Sequence, residues 1–248
     1  MIYLAHTAHW QFLGLVVGFV AWILMMVTAG LNEWRLWYVA DVSVITSGVA
    51  WVGIWRACFY SHTLPKLEFC HSIDITDAFV PVEIAVAQVL MALALICGLA
   101  GNLSAAFAIR MVYFTMDRRE DHIRLVFSVA GGLYMLTGVC CLVPLFWNTN
   151  SVLTNGTIVF PPDFFFPAAP VRQEVGSAIG VGIFASALII VSGLLFLCYR
   201  YARQALGPWE EPVRGDRDAL HGSWTVTTLS QNGSNNYFTG KDNPVYCS

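Results

Sequence analysis

Four long apolar stretches without charge constrain this chain more than any other feature. The first runs from Trp10 to Leu31, and the others from about 84 to 108, 125 to 147 and 177 to 199. About 20 consecutive apolar residues suffice to cross the roughly 30 Å hydrocarbon core of a bilayer. A signal peptide is the alternative for the first stretch, but a basic leading region and a clear cleavage site do not accompany it. We predict an all-α membrane protein that spans the bilayer four times.

Composition excludes several classes of protein. Only 12% of the residues are charged and the mean hydropathy is +0.62, whereas about a quarter of the residues in a soluble domain are charged. The net charge of -3 offers no basic surface for nucleic acid. The spans carry no ionisable residue between their ends, which disfavours a proton-coupled pump. No metal-ligand spacing, phosphate loop or nucleophile motif is present, so we expect neither an enzyme nor a cofactor.

Basic residues predict the orientation, because positively charged connections stay in the cytoplasm. The segments 32–83 and 148–176 are poor in Lys and Arg, so we expect them to be outer loops and both termini to be cytoplasmic. The polar segment 207–248 is predicted to be a disordered cytoplasmic tail. The basic residues lie between spans two and three and after span four: Arg110, Arg118, Arg119, Arg124, Arg200 and Arg203.

The first outer loop is rich in β-branched and aromatic residues, which predicts short antiparallel strands. Cys58 and Cys70 lie close together in this loop, and an oxidising compartment favours a disulfide between them. Such a bond would stabilise a sheet with little core by about 2–4 kcal/mol. We also expect Trp37 and Tyr38 to be exposed aromatic residues that support side-by-side association.

A tryptophan, Trp34, precedes the motif formed by Trp51, Gly53, Ile54 and Trp55, and the two cysteines follow. This pattern resembles the signature of the claudin family, in which a tryptophan precedes W-x-G-L-W and a cysteine pair. The likeness covers about residues 10 to 200. It departs at Gln88, where claudins usually have an arginine. The chain also ends in serine instead of the hydrophobic residue that PDZ domains capture, so binding to a PDZ scaffold is doubtful.

The resemblance implies a left-handed four-helix bundle that carries a small outer sheet. It also implies a plasma-membrane protein of tight junctions that acts in cell-cell adhesion and in a paracellular barrier or selective path. The implied partners are copies of itself and other claudins, in the same and in the facing membrane. Two alternatives stay open: an auxiliary subunit of an ion channel, as in a sister branch of the superfamily, and a conducting channel or transporter.

Both outer loops contain candidate contact residues. Aromatic residues on a Pro-containing turn of the second loop suit a contact across the intercellular gap, with placement at the membrane interface as the alternative. These are Phe160, Phe164, Phe165 and Phe166. The charges of the first loop are too mixed to choose between cation passage and a seal, and they are Arg56, Lys66, Glu68, His71, Asp74 and Asp77.

Four further residues have predicted roles near the membrane surface. Asn155 begins a glycosylation sequon in the second outer loop. Cys198, beside Arg200, is placed for reversible palmitoylation, with an unmodified thiol as the alternative. Glu83 and Glu174 stand at the margins of spans two and four, where we expect headgroup contacts or helix capping.

Overall fold

The computed structural model describes residues 2–40, 45, 47–60, 68–114, 120–164 and 170–205. Within these residues, four α-helices each contain an apolar segment long enough to cross a membrane, which confirms the four predicted spans. Helices α2 and α3 have 33 and 34 residues, or about 50 Å at 1.5 Å per residue, so both exceed the hydrocarbon core. The helices are α1 Ile2–Gly30, α2 Val82–Phe114, α3 Glu120–Leu153 and α4 Ser177–Ala205.

Small residues line the inside of the helical bundle. Each of α2 and α4 packs against both α1 and α3, and the alanines Ala21, Ala94, Ala130 and Ala185 are fully buried, one on each helix. In lipid, helix association depends on close packing, because apolar side chains gain little by leaving lipid for the bundle. Many large apolar side chains point outward, as does Ile96, while a few, such as Tyr134 and Phe196, fill the centre of the bundle.

A five-stranded antiparallel sheet lies at the end of the bundle where α1 ends and α2 begins. Four strands come from the first predicted outer loop, which confirms the strand prediction there. The fifth, β5, comes from the second loop and pairs with β1, from Arg35 opposite Val175 to Tyr38 opposite Arg172. The order is β4-β3-β2-β1-β5, with β1 Arg35–Tyr38, β2 Val49–Val52, β3 Arg56–Tyr60, β4 Glu68–Ser72 and β5 Arg172–Val175.

The two faces of the sheet differ in burial. Val52 and Phe59 on the inner face belong to a second hydrophobic core, separate from the core of the bundle. Trp37 is fully buried in this core and its Nε1 donates to Gln173 Oε1 at 3.2 Å. The prediction that Trp37 is exposed is therefore wrong: strand alternation directs it inward, while its neighbour Tyr38 points to the other face and is half-buried.

Candidate functional site

The signature residues attach the sheet to the end of α1. Trp34 is buried, and its Nε1 donates to the carbonyl oxygen of Thr28 at 2.9 Å, one of the last-turn carbonyls of α1 that lack a partner within the helix. A Cβ atom at Gly53 would lie 2.9 Å from the Cα of Asn32, so this close approach of two backbones requires glycine. Ile54 is buried beside them. This part of the motif therefore holds the sheet in position.

The remaining signature tryptophans lie on the surface. Trp51 contacts Tyr60 edge to face, with ring centroids 5.4 Å apart, and it is half-buried on the outer face of the sheet. Trp55 is 43% exposed. The signature thus combines buried structural residues with aromatic residues that are available for contact.

The Cys58–Cys70 disulfide is present, as predicted. The two residues face each other directly on β3 and β4, so the bond closes the hairpin that these strands form. A carboxylate oxygen of Glu68 lies within 4.8 Å of both sulfurs. This trio is not a metal site, since both sulfurs are consumed by the disulfide.

A polar network joins the sheet to two of the helices. Arg35 on β1 is 1% exposed and pairs with Glu83 of α2, with 3.3 Å between Nη2 and Oε1. The same Nη2 donates to Asn148 Oδ1 of α3 at 2.7 Å, and Ser151 Oγ donates to Glu83 Oε1 at 2.8 Å. Burial lowers the pKa of Arg35 from its ordinary value, and the charge of Glu83 opposes that effect. The network fixes the sheet relative to α2 and α3.

This network does not satisfy every donor of the Arg35 guanidinium. Its Nε and Nη1 are buried and have no hydrogen-bond partner within the described part of the chain. A buried ion pair with unsatisfied donors contributes little net stability, but loss of one partner leaves an uncompensated charge that costs about 3–5 kcal/mol. Arg35 and Glu83 therefore determine position more than they add stability.

Gln88 is a buried polar side chain on α2. It is 3% exposed, and its Nε2 donates to two backbone carbonyls of the sheet region, Ile54 O at 2.7 Å and Ile73 O at 2.8 Å. The side chain thus ties α2 to the segments before β3 and after β4. Because the position is buried, Gln88 does not contribute to the outer surface of the protein.

The candidate charges of the first loop remain distributed in the structure. Arg56, Glu68 and Asp74 are exposed, and Asp77 accepts a hydrogen bond from the backbone N–H of Asp74 at 2.9 Å. His71 stacks on Phe164, with ring centroids 4.7 Å apart. Lys66 lies outside the described residues. The exposed charges are of both signs and do not form one cluster, so they favour neither cation passage nor a seal.

The structure separates the four candidate phenylalanines of the second loop. Phe160 and Phe164 are buried in the core beneath the sheet, where both contact Phe79 and Phe160 also contacts Trp37 edge to face. Because both rings are buried, neither can contact a protein in the facing membrane. Phe165 and Phe166 lie outside the described residues, so the predicted contact role now concerns these two.

The modification candidates occupy accessible positions. Asn155 is exposed in the turn after α3, where its φ of 55° is left-handed, and Cys198 is exposed near the end of α4. Their glycosylation and palmitoylation stay predictions.

Glu174 lies in β5 and accepts a hydrogen bond from Tyr38 Oη at 2.9 Å, which raises the pKa of Tyr38. It therefore supports the sheet and does not cap α4.

Sequence reasoning missed the two features that build this region. In the sequence, Arg35 is one of several basic residues of the first loop. Its pairing with Glu83 was not predicted, because the two residues are 48 positions apart. Strand β5 has four residues and no alternating pattern of its own. A usable signal was the presence of two charges at opposite margins of the outer loop, since a charge beside the membrane needs a partner.

Four apolar helices and a disulfide-linked sheet define a four-span membrane protein with a compact domain outside the helical bundle. A sequence profile described as "PMP-22/EMP/MP20/Claudin tight junction" matches residues 19–198. The chain belongs to this family, as a divergent member of the claudins, which are structural membrane proteins and not enzymes.

Relatives among characterised proteins agree with this assignment. The chain is 26% identical to rat claudin-3 over 220 residues, which cover 88% of this chain and 94% of the relative. It is 29% identical to mouse claudin-5 over 211 residues, with 82% and 88% covered, and 26% identical to human claudin-6 over 204 residues, with 82% and 87% covered. The similarity thus extends over nearly the whole length of these proteins.

Proposed function

We propose that this chain is a structural component of tight junctions, where it associates with itself and other claudins in the same and in the facing membrane. One observation supports the proposal most: β5 of the second loop pairs with β1 of the first loop, and Phe160 and Phe164 of the second loop pack in the core below the same sheet. Both loops therefore act as one rigid contact unit outside the cell, and a rigid unit loses less entropy when it binds a partner.

The surface of this unit supports association. Within the described residues, β4 and β5 each pair with one strand only, and an unpaired strand edge is a template for pairing with another chain. The outer face also presents the Trp51 and Tyr60 pair, and aromatic residues of this kind are enriched in protein interfaces. The proposed orientation, with the sheet outside, provides the oxidising compartment that the disulfide requires.

Expression in cells that lack junctional strands tests this function. We expect the protein to concentrate where two expressing cells touch, and not where an expressing cell meets a bare one. Cys58→Ser, which opens the β3–β4 hairpin, should reduce this enrichment among molecules that reach the surface. Cys97→Ser is the control, because it makes the same exchange at a free cysteine within α2 and leaves the disulfide intact. An even distribution over confluent expressing cells, also beside other claudins, would contradict the proposal and favour the channel-subunit alternative.

A further inference from the structure

An open groove lies between α2 and α3 at the end of the bundle opposite the sheet. Its volume is about 390 Å³, and it is open to its surroundings along one side. The large apolar side chains that line it are well exposed, Leu103 at 64% and Leu125 at 60%. The lining residues are Leu103, Ser104, Phe107, Leu125, Val126 and Val129.

Beyond the groove, α3 has a position without a side chain on the same face. Leu125, Val129 and Gly132 are spaced at i, i+4 and i+7, so they share one face of the helix. A Cβ atom at Gly132 would meet nothing within 4 Å. The surface of α3 therefore stays open at Gly132, one helical turn beyond the groove residue Val129, along the direction that an acyl chain would take.

Polar side chains stand at the mouth of the groove. Arg110 follows Leu103 and Phe107 at i+7 and i+3, on the same face of α2, and it is exposed two residues beyond the predicted span. His122 precedes Leu125 by three residues on the facing stripe of α3 and is also exposed. The Arg110 guanidinium donates to phosphate oxygens and attracts anionic lipid, and the imidazole of His122 adds a further donor.

We propose that this groove binds one anionic glycerophospholipid of the cytoplasmic leaflet, with an acyl chain along Leu125, Val129 and Gly132 and the phosphate at Arg110. The apolar lining matches the acyl chain, and the basic side chain at the mouth matches the headgroup. Anionic lipids are found in the cytoplasmic leaflet, on the side where the Arg-rich connection between α2 and α3 is predicted to lie.

Native mass spectrometry of the purified full-length chain in detergent tests the proposal. The protein is incubated with equal amounts of phosphatidylserine and phosphatidylcholine that carry the same acyl chains. We expect a preference of about fivefold for phosphatidylserine, the contribution of one basic side chain near a lipid surface. The measurement does not depend on orientation in the cell, so its failure is distinct from a failure of the predicted topology.

Two matched pairs of variants locate the site. Gly132→Leu should abolish retention of the lipid, because the new side chain leans toward Val129 and fills the groove. Gly180→Leu is its control: Gly180 lies on α4 and likewise has open space around it. Arg110→Gln should remove the preference for phosphatidylserine. Arg124→Gln removes the same charge from the face of α3 that carries Gly131 and packs against α4, and it should keep most of that preference.

Folding is checked for each variant by its elution volume and thermal melt, and Val129→Trp replaces Gly132→Leu if the latter aggregates. Equal retention of the two lipids by the wild type would overturn the proposal. So would retention by Gly132→Leu that matches Gly180→Leu, since the lipid would then belong to the general annulus around the helices.

Discussion

Some residues at the junction of the sheet and the helices are polar and yet buried, so they need hydrogen-bond partners inside the protein. Arg35 is a fully charged group at 1% exposure, paired with Glu83 and hydrogen bonded to Asn148. Gln88 is also buried but carries no charge, and its side-chain amide donates two hydrogen bonds to backbone carbonyls. Both side chains fix one element relative to another, so their effects are expected in the stability and delivery of the whole protein.

The Arg35–Glu83 pair should show strong energetic coupling. Glu83→Leu leaves the buried guanidinium without its counter-charge and should lower the free energy of unfolding by about 3–5 kcal/mol. The double variant Arg35→Met with Glu83→Leu removes both charges and should recover most of this loss, because apolar replacements of a buried pair are often neutral. Thermal melts followed by size-exclusion chromatography in detergent measure the effect.

Arg56→Met is the control for this prediction, since Arg56 is exposed on β3 and exposed charges contribute at most about 1 kcal/mol. A double variant as unstable as Glu83→Leu alone would show that the two side chains are not coupled.

At the scale of elements, the second loop is part of the sheet and not a separate appendage. Strand β5 pairs with β1 over four residues, and Phe160 and Phe164 stack with ring centroids 5.5 Å apart in the core below. His71 on the edge strand β4 covers Phe164. Burial of these rings gives a small sheet part of the apolar core that it otherwise lacks.

Replacing phenylalanines of this loop by alanine should have two different effects, one for the buried Phe160 and another for Phe165 and Phe166. Phe160→Ala removes a buried ring and should cost about 3–5 kcal/mol, so surface delivery falls. Phe165→Ala with Phe166→Ala should leave delivery intact and weaken enrichment at cell contacts, since truncated contact residues cost about 1 kcal/mol or more each. Surface biotinylation and contact imaging separate the two effects. Normal delivery of Phe160→Ala would show that its ring is dispensable for the core.

At the scale of the whole molecule, four apolar helices fix two ends of the protein on opposite sides of a membrane. The sheet and the sequon at Asn155 share one end, and the end of α2 and the beginning of α3 lie at the other. The arginines that the sequence places between α2 and α3 predict which end is cytoplasmic. The orientation therefore determines where the disulfide forms, which sequons are accessible and which leaflet meets the groove.

Glycosylation mapping tests this orientation. Of the three sequons, only Asn155 is expected to be open to modification, whereas Asn102 and Asn232 should stay bare. A gel shift that glycosidase removes, and that Asn155→Gln abolishes, is the expected result where a glycan is attached. Asn232→Gln is the matched control and should change nothing. A glycan on Asn232 would reverse the predicted topology.

The sequence by itself determined the elements that depend on local composition. The four spans follow from apolar length, the strands of the first loop from β-branched and aromatic residues, and the disulfide from two nearby cysteines. The family follows from residues such as Trp34 and Trp55, whose spacing is a property of the chain. In lipid every backbone polar group needs an internal partner, so an apolar stretch of this length has little choice but to be helical.

The tertiary structure decided what depends on residues far apart in the chain. It joined β5 to β1, placed Trp37 and Phe160 in a core, paired Arg35 with Glu83 and left a groove between α2 and α3. Aromatic side chains are amphipathic enough to lie in a core, in an interface or at a membrane surface. Only the geometry of neighbouring elements selects among these places, because burial is a property of the assembled fold and not of the residue.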